Sequence, residues 1–134
     1  MLEADTLWEV ILSDVAHAER NDLFLKIGHD RGADYARRWW SGLLLATDGL
    51  AEFPGPRSFP LCFAESERRR AEVRYRNYGG SDKRASLSTS CHVFFAVYDP
   101  TQGEEAGRLI VLRVIGARTQ AAGDVLTGGD SSGV

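Results

Sequence analysis

The spacing of hydrophobic positions changes along this chain, and the changes mark out its elements. Leu7-Trp-Glu-Val-Ile-Leu12 is a short apolar run that ends at Ser13-Asp14, the pattern of a strand followed by a helix N-cap. Val15, Leu23, Leu25 and Ile27 then sit among charged residues and predict a first helix to about Ile27, with Gly28 as its stop and Asp30 capping a second. In that second helix Ala33, Ala36, Trp40, Leu43, Leu44 and Ala46 recur every three to four positions, and the pattern runs on through Leu50 to Phe53. So short a link between two helices predicts an antiparallel hairpin. Trp39 and Trp40 are adjacent and diverge by about 100° around the helix axis, so one faces the core and the other is partly exposed.

Pro54-Gly-Pro56 and Pro60 oppose regular structure, and residues 54–66 read as a loop. The period then shortens to two. Ala71–Tyr78 alternates Val73, Tyr75 and Asn77 against Glu72, Arg74, Arg76 and Tyr78. Ser90–Tyr98 is a second strand and Arg108–Ile115 a third, β-branched and ended by Gly116, with turns at 79–88 and 99–106. The Gly/Ser-rich residues 123–134 have little to bury and read as a disordered tail behind a single domain of residues 1–122. The expected fold is α+β: a mainly antiparallel four-stranded sheet in the order β-α-α-β-β-β, with an N-terminal helical hairpin packed on one face.

Composition narrows the classes. The chain has 134 residues, enough for one well-buried core, with 43% hydrophobic and 26% charged residues. No apolar run approaches the ~20 residues of a membrane span and the acidic start is no signal peptide, so a cytoplasmic location without a membrane partner is expected. A net charge of −3 argues against binding nucleic acid by bulk electrostatics, although Arg68 to Arg76 and Lys83-Arg84 form a local basic zone. Cys62 and Cys91 lack ligand spacing and read as buried free thiols.

Element order, the passage Leu50-Ala-Glu-Phe-Pro-Gly-Pro-Arg57, the β-hairpin of Tyr75 to Tyr98 and the closing Val114-Ile-Gly-Ala-Arg118 together resemble the RelE/ParE superfamily, the toxins of type II toxin–antitoxin modules. The resemblance covers about residues 7–119, and Phe-Pro-Gly-Pro-Arg-Ser-Phe-Pro-Leu is similar to a branch often described as plasmid-stabilisation proteins. It implies a toxin that cuts messenger RNA, commonly on the ribosome, or one that poisons DNA gyrase, and in either case a partner antitoxin that wraps it. Cleaving members use no metal or other cofactor. Arginines and lysines hold the phosphate, and a further side chain moves protons. By this resemblance Arg118 matches the arginine after the last strand, and Arg74 or Arg76 matches an arginine on the second strand facing the same cleft. His92 stands where the third strand carries arginine in a Tyr-Arg pair, here Cys91-His92. The segment after Arg118 lacks the tyrosine found in several cleaving members, for which Tyr78 or Tyr98 are the available substitutes.

Read from the residues alone, each candidate has two accounts. Arg74 and Arg76 share a strand face and can grip a phosphate, or can pair with Glu72, Glu65 or Glu67. His92 can act as a general base, or be a structural histidine sharing its face with Phe94 and Ala96. Arg118 can meet an anion at the sheet rim, or cap the strand in solvent. The reading adopted is a metal-independent messenger-RNA endoribonuclease with Arg118, Arg76, Arg74 and His92 in its cleft. The alternatives are a gyrase inhibitor acting by contact, and a degenerate member that only binds its antitoxin.

Overall fold

A computed structural model describes residues 6–79, 89–117 and 119–127. The chain is α+β, with β1 (Leu7–Leu12), α1 (Asp14–Arg31), α2 (Ala33–Asp48), α3 (Phe63–Arg69), β2 (Glu72–Tyr78), β3 (Cys91–Tyr98), β4 (Ala106–Gly116) and α4 (Gln120–Thr127). The four strands form one sheet in the order β1-β4-β3-β2. The β2–β3 and β3–β4 pairs are antiparallel, but β1 runs parallel to β4. The sheet is therefore mixed, and the element order expected from the sequence is corrected by two further helices.

α1 begins as its sequence suggests. The Ser13 hydroxyl accepts from the Ala16 N–H at 3.1 Å and donates to the Leu112 carbonyl, so one residue caps the helix and ties it to β4. The helix runs through Gly28 and stops at Gly32, whose φ of 93° favours glycine and whose N–H returns to the Gly28 carbonyl. A single interior glycine costs only about 1 kcal/mol, too little to end a helix whose Ile27 is already buried. Asp30 consequently lies inside α1 and does not cap α2. The prolines keep residues 54–62 irregular, with a 3-10 turn at Pro56–Ser58, but α3 starts at Phe63, inside the span expected to be a loop. Glu65 anchors it: this buried carboxylate takes bonds of 2.7–2.9 Å from Arg68 and Arg69, one turn on.

Two apolar layers explain the extra helices. Val93, Phe95 and Val97 of β3 join Trp39, Leu43 and Leu50 under the α1–α2 hairpin. Phe94 and Ala96, alternating onto the opposite face, join Val73, Cys62, Ala122 and Val125 beneath α3 and α4. A central strand apolar on both sides needs cover on both sides. The packed chain thus continues past residue 122 into α4, and residues 128–134 lie outside the described residues. β4 carries a bulge at the Phe94/Phe95 step, where Leu112 is passed over and both Val111 and Val114 reach the hairpin layer. Trp39 is the core member of the tryptophan pair and Trp40 the half-buried one.

Where β1 ends at Leu12, a side chain takes over its pairing role. Glu19 of α1 accepts the Val114 N–H at 2.9 Å through one oxygen and the Arg113 guanidinium at 2.6 and 2.8 Å through the other. A second fixed point is Gly42, where a Cβ would overlap the Tyr78 hydroxyl, which donates to the Trp39 carbonyl at 2.9 Å.

Glu19→Ala orphans a strand-edge N–H and a half-buried arginine and should cost about 2–3 kcal/mol. Gly42→Ala forces Tyr78 out of its bond and should cost about 1–3 kcal/mol. Urea midpoints measure both, and a Glu19→Ala midpoint equal to wild type would show that the edge cap contributes nothing.

Candidate functional site

The arginines expected to line one cleft do share a strand face, the one turned towards the α1–α2 hairpin. Arg74 is consumed there. Its Nε donates to Glu72 at 2.7 Å and its Nη1 to the Phe59 carbonyl at 2.7 Å. Glu72 also receives Arg57 in a forked contact at 2.8 and 3.0 Å, and Arg57 holds Asp99 at 2.9 and 3.0 Å while lying over the Trp8 ring. Burial alone would raise the Glu72 carboxyl, but the bonds from Arg57 and Arg74 hold it below the usual carboxylate range. This network ties the 54–59 segment to β2 and to the end of β3. Arg74 is a structural ion-pair member, as the Glu72 account of it supposed.

Arg76 is less committed. Its Nη1 donates to the Ala46 carbonyl at 2.8 Å at the end of α2, and its guanidinium lies 5.3 Å from the Phe59 ring centre. It lines an open cleft of about 310 Å³ with Leu45, Glu52, Phe53, Pro54 and Phe59. Leu45 and Phe53 are 74% and 84% exposed, so this rim is apolar and accessible.

His92 belongs to the opposite face. It pairs across β2–β3 with Asn77, and its Nδ1 is hydrogen-bonded to Asn77 Oδ1. Tyr75 meets its ring edge-on at 6.0 Å, and Phe94 packs beside it at 6.0 Å. The expected grouping of His92 with Arg74 and Arg76 is therefore corrected: strand alternation puts the sheet between them. Bonding to an amide oxygen fixes the proton on Nδ1 and leaves Nε2 as an acceptor with no partner among the described residues. Burial lowers the imidazole below its ordinary value and favours the neutral ring.

Arg118 lies outside the described residues. Its neighbour Ala117 donates to the Ser90 carbonyl at 2.8 Å, so β4 ends beside the start of β3, at the His92–Asn77 end of the sheet. Lys83-Arg84 of the basic zone is also outside the described residues. Tyr78 cannot replace the missing tyrosine, because its hydroxyl is buried on the hairpin face and pushed up to about 12 by that burial. Tyr98 sits at the far end of β3. Cys62 and Cys91 are both free and buried. Burial drives the Cys91 thiol to about 12, which leaves it no thiolate to react through. No helix among the described residues is long and apolar enough to cross a membrane.

Sequence reading left three side chains without a role. Asn77 was placed on a face but not connected to His92, although residues opposite each other in a hairpin are neighbours once its register is known. Arg57 stood in a proline-rich segment that gave no hint of its two carboxylate partners. Arg20 was one charge among many on α1.

By NMR, His92 should titrate below the ordinary 6.5 and show the Nδ1–H tautomer at neutral pH. Because its folded pKa is depressed, the neutral ring favours the fold above the unfolded value, and that contribution falls away as pH drops below about 6.5. A His92 titration at or above 6.5 would contradict the half-buried, neutral assignment.

No family model and no curated protein sequence matches the chain.

Proposed function

We propose that this chain is a type II toxin of the RelE/ParE kind and that it cleaves messenger RNA without a metal, at the His92 end of the sheet. The observation that carries this reading is the His92–Asn77 pair, a neutral imidazole with a fixed tautomer and an unengaged Nε2. It lies on the sheet face away from the helical hairpin, at the end where β4 leads into Arg118. In the reaction, Nε2 takes the proton of a ribose 2′-hydroxyl, the 2′-oxygen bonds to the adjacent phosphorus, and the P–O5′ bond breaks with the 5′-oxygen protonated by water, giving a 2′,3′-cyclic phosphate and a 5′-hydroxyl. Arg118 neutralises the charge that develops on the phosphorane, and Tyr75 offers a ring beside the imidazole on which a base can stack. Arg74 and Arg76 have no part in this chemistry. The partner that restrains such a toxin is a cognate antitoxin.

One observation favours a second reading, in which the chain acts by contact alone as the gyrase-poisoning toxins do. Arg74 is spent on Glu72 and Arg76 lies across the sheet, so neither β2 arginine accompanies His92.

Expression without a partner should arrest growth and fragment translated transcripts. His92→Ala and Arg118→Ala should each slow cleavage by about 10²-fold or more while purified protein leaves gyrase supercoiling untouched. Intact transcripts with inhibited supercoiling would replace the nuclease reading by the second, and a chain that did neither would refute both.

A further inference from the structure

The outer side of the α1–α2 hairpin carries a cation that the fold leaves without a counter-charge. Arg20 of α1 stacks over Trp40 of α2, its guanidinium carbon 4.5 Å from the ring centre. Trp40 in turn receives Phe24 edge-on at 5.0 Å. Among the described residues the one hydrogen-bond partner of Arg20 is His17 Nδ1, at 3.1 Å from Nη2, and its buried Nε has none. No carboxylate meets it, because its neighbour Glu19 is turned inward onto Arg113 and the Val114 N–H. Burial without compensation lowers the Arg20 pKa.

Beside this stack runs an open groove of about 270 Å³ lined by Phe24, Arg37, Trp40 and Ser41. Its floor is aromatic and its rim holds a hydroxyl. A second cation, Arg37, is held by an exposed pair with Asp34 that a competing anion can displace. No acidic residue lines the groove, although the chain as a whole carries a net charge of −3.

We infer that this groove is a docking site for an acidic amphipathic segment of a partner protein, in which an Asp or Glu pairs with Arg20 and an adjacent large apolar side chain packs on Trp40 and Phe24. A carboxylate bound there meets a guanidinium that is partly buried and held in place by stacking, so little ordering remains to be done on association. The aromatic pair supplies the buried anchor and the arginines the orientation, the division of roles found where a few residues dominate an interface. The inference stands on these side chains and does not need the toxin reading: a chain that neither cuts RNA nor touches gyrase still presents the groove.

The test is selection of displayed random peptides about four helical turns long on the full chain, followed by binding measurements with the synthesised winner. Enriched peptides should carry Asp or Glu within one turn of Leu, Phe or Trp. Affinity should fall with salt, and should drop about tenfold or more for Arg20→Gln and less for Arg20→Lys, with Arg68→Gln on α3 unchanged. Hydrogen exchange should slow around residues 20–24 and 37–41. If Arg20→Gln fails to fold, the Glu→Gln version of the peptide probes the same contact from the other side. Winners without a carboxylate, or equal affinity for Arg20→Gln, would overturn the inference. So would a wild-type dimer in sedimentation that Arg20→Gln dissociates, which would make a second copy of this chain the occupant.

Discussion

The position of β4 is the constraint on which the other elements depend. The last strand of the sheet lies between the first and the third, parallel to one and antiparallel to the other. A parallel neighbour cannot be reached by a tight turn, so the chain between β1 and β4 must leave the sheet, cover it and return. The α1–α2 hairpin is the first part of that excursion, α3 the second, and the β2–β3 pair the return. Ser13 and Glu19 fasten the excursion where it starts, one by capping α1 onto β4 and the other by standing in for β1 beyond Leu12. Few side chains of a small domain carry so much topological weight.

The sheet also separates two kinds of surface. On the hairpin side, the polar groups of β2 are absorbed into architecture: Arg57, Glu72, Arg74 and Asp99 close a network that holds the proline-rich segment, and Tyr78 reaches the backbone of α2. On the other side, α3 and α4 cover the apolar middle of β3, while the Tyr75–Asn77–His92 group stands near the end of β2 and the start of β3, beside the exit of β4. A charge that already has a partner costs energy to redirect, whereas a neutral imidazole with a fixed tautomer is available at once. The face rich in arginine is therefore the one on which most polar groups are already engaged.

Much of this was legible in the residues, and the rest fails for physical reasons. The Ser13 cap, the existence of α2, the opposed tryptophans and the alternation of β2 all rest on local patterns, whereas the buried face of α2 runs through Ala36, Trp39, Leu43 and Ala46 and leaves Ala33, Leu44 and Phe53 of the expected set exposed. The parallel β1–β4 pair rests on no such pattern, because pairing between distant segments leaves no trace in either one. The α3 helix was hidden by the prolines before it; its own signal, Glu65 with Arg68 and Arg69, is an i,i+3/i+4 pairing visible only once the charges are read as a helix face. The candidate site divides in the same way. Alternation placed His92 with Phe94 and Ala96, and Arg74 with Arg76. It did not reveal that these two sets face opposite ways, because that depends on the register between β2 and β3.

The interior place of β4 also bears on how the chain comes off the ribosome. Synthesis is vectorial, and β4 is the last of the four strands to emerge. Until it does, β1 has no neighbour, Glu19 has nothing to cap, and the apolar side of the helical hairpin has only half a floor. A nascent chain halted before residue 106 can make helices and the β2–β3 pair but not the sheet that joins them. The sheet therefore assembles only after β4 is made, and until then the growing chain stays open to binding by other proteins.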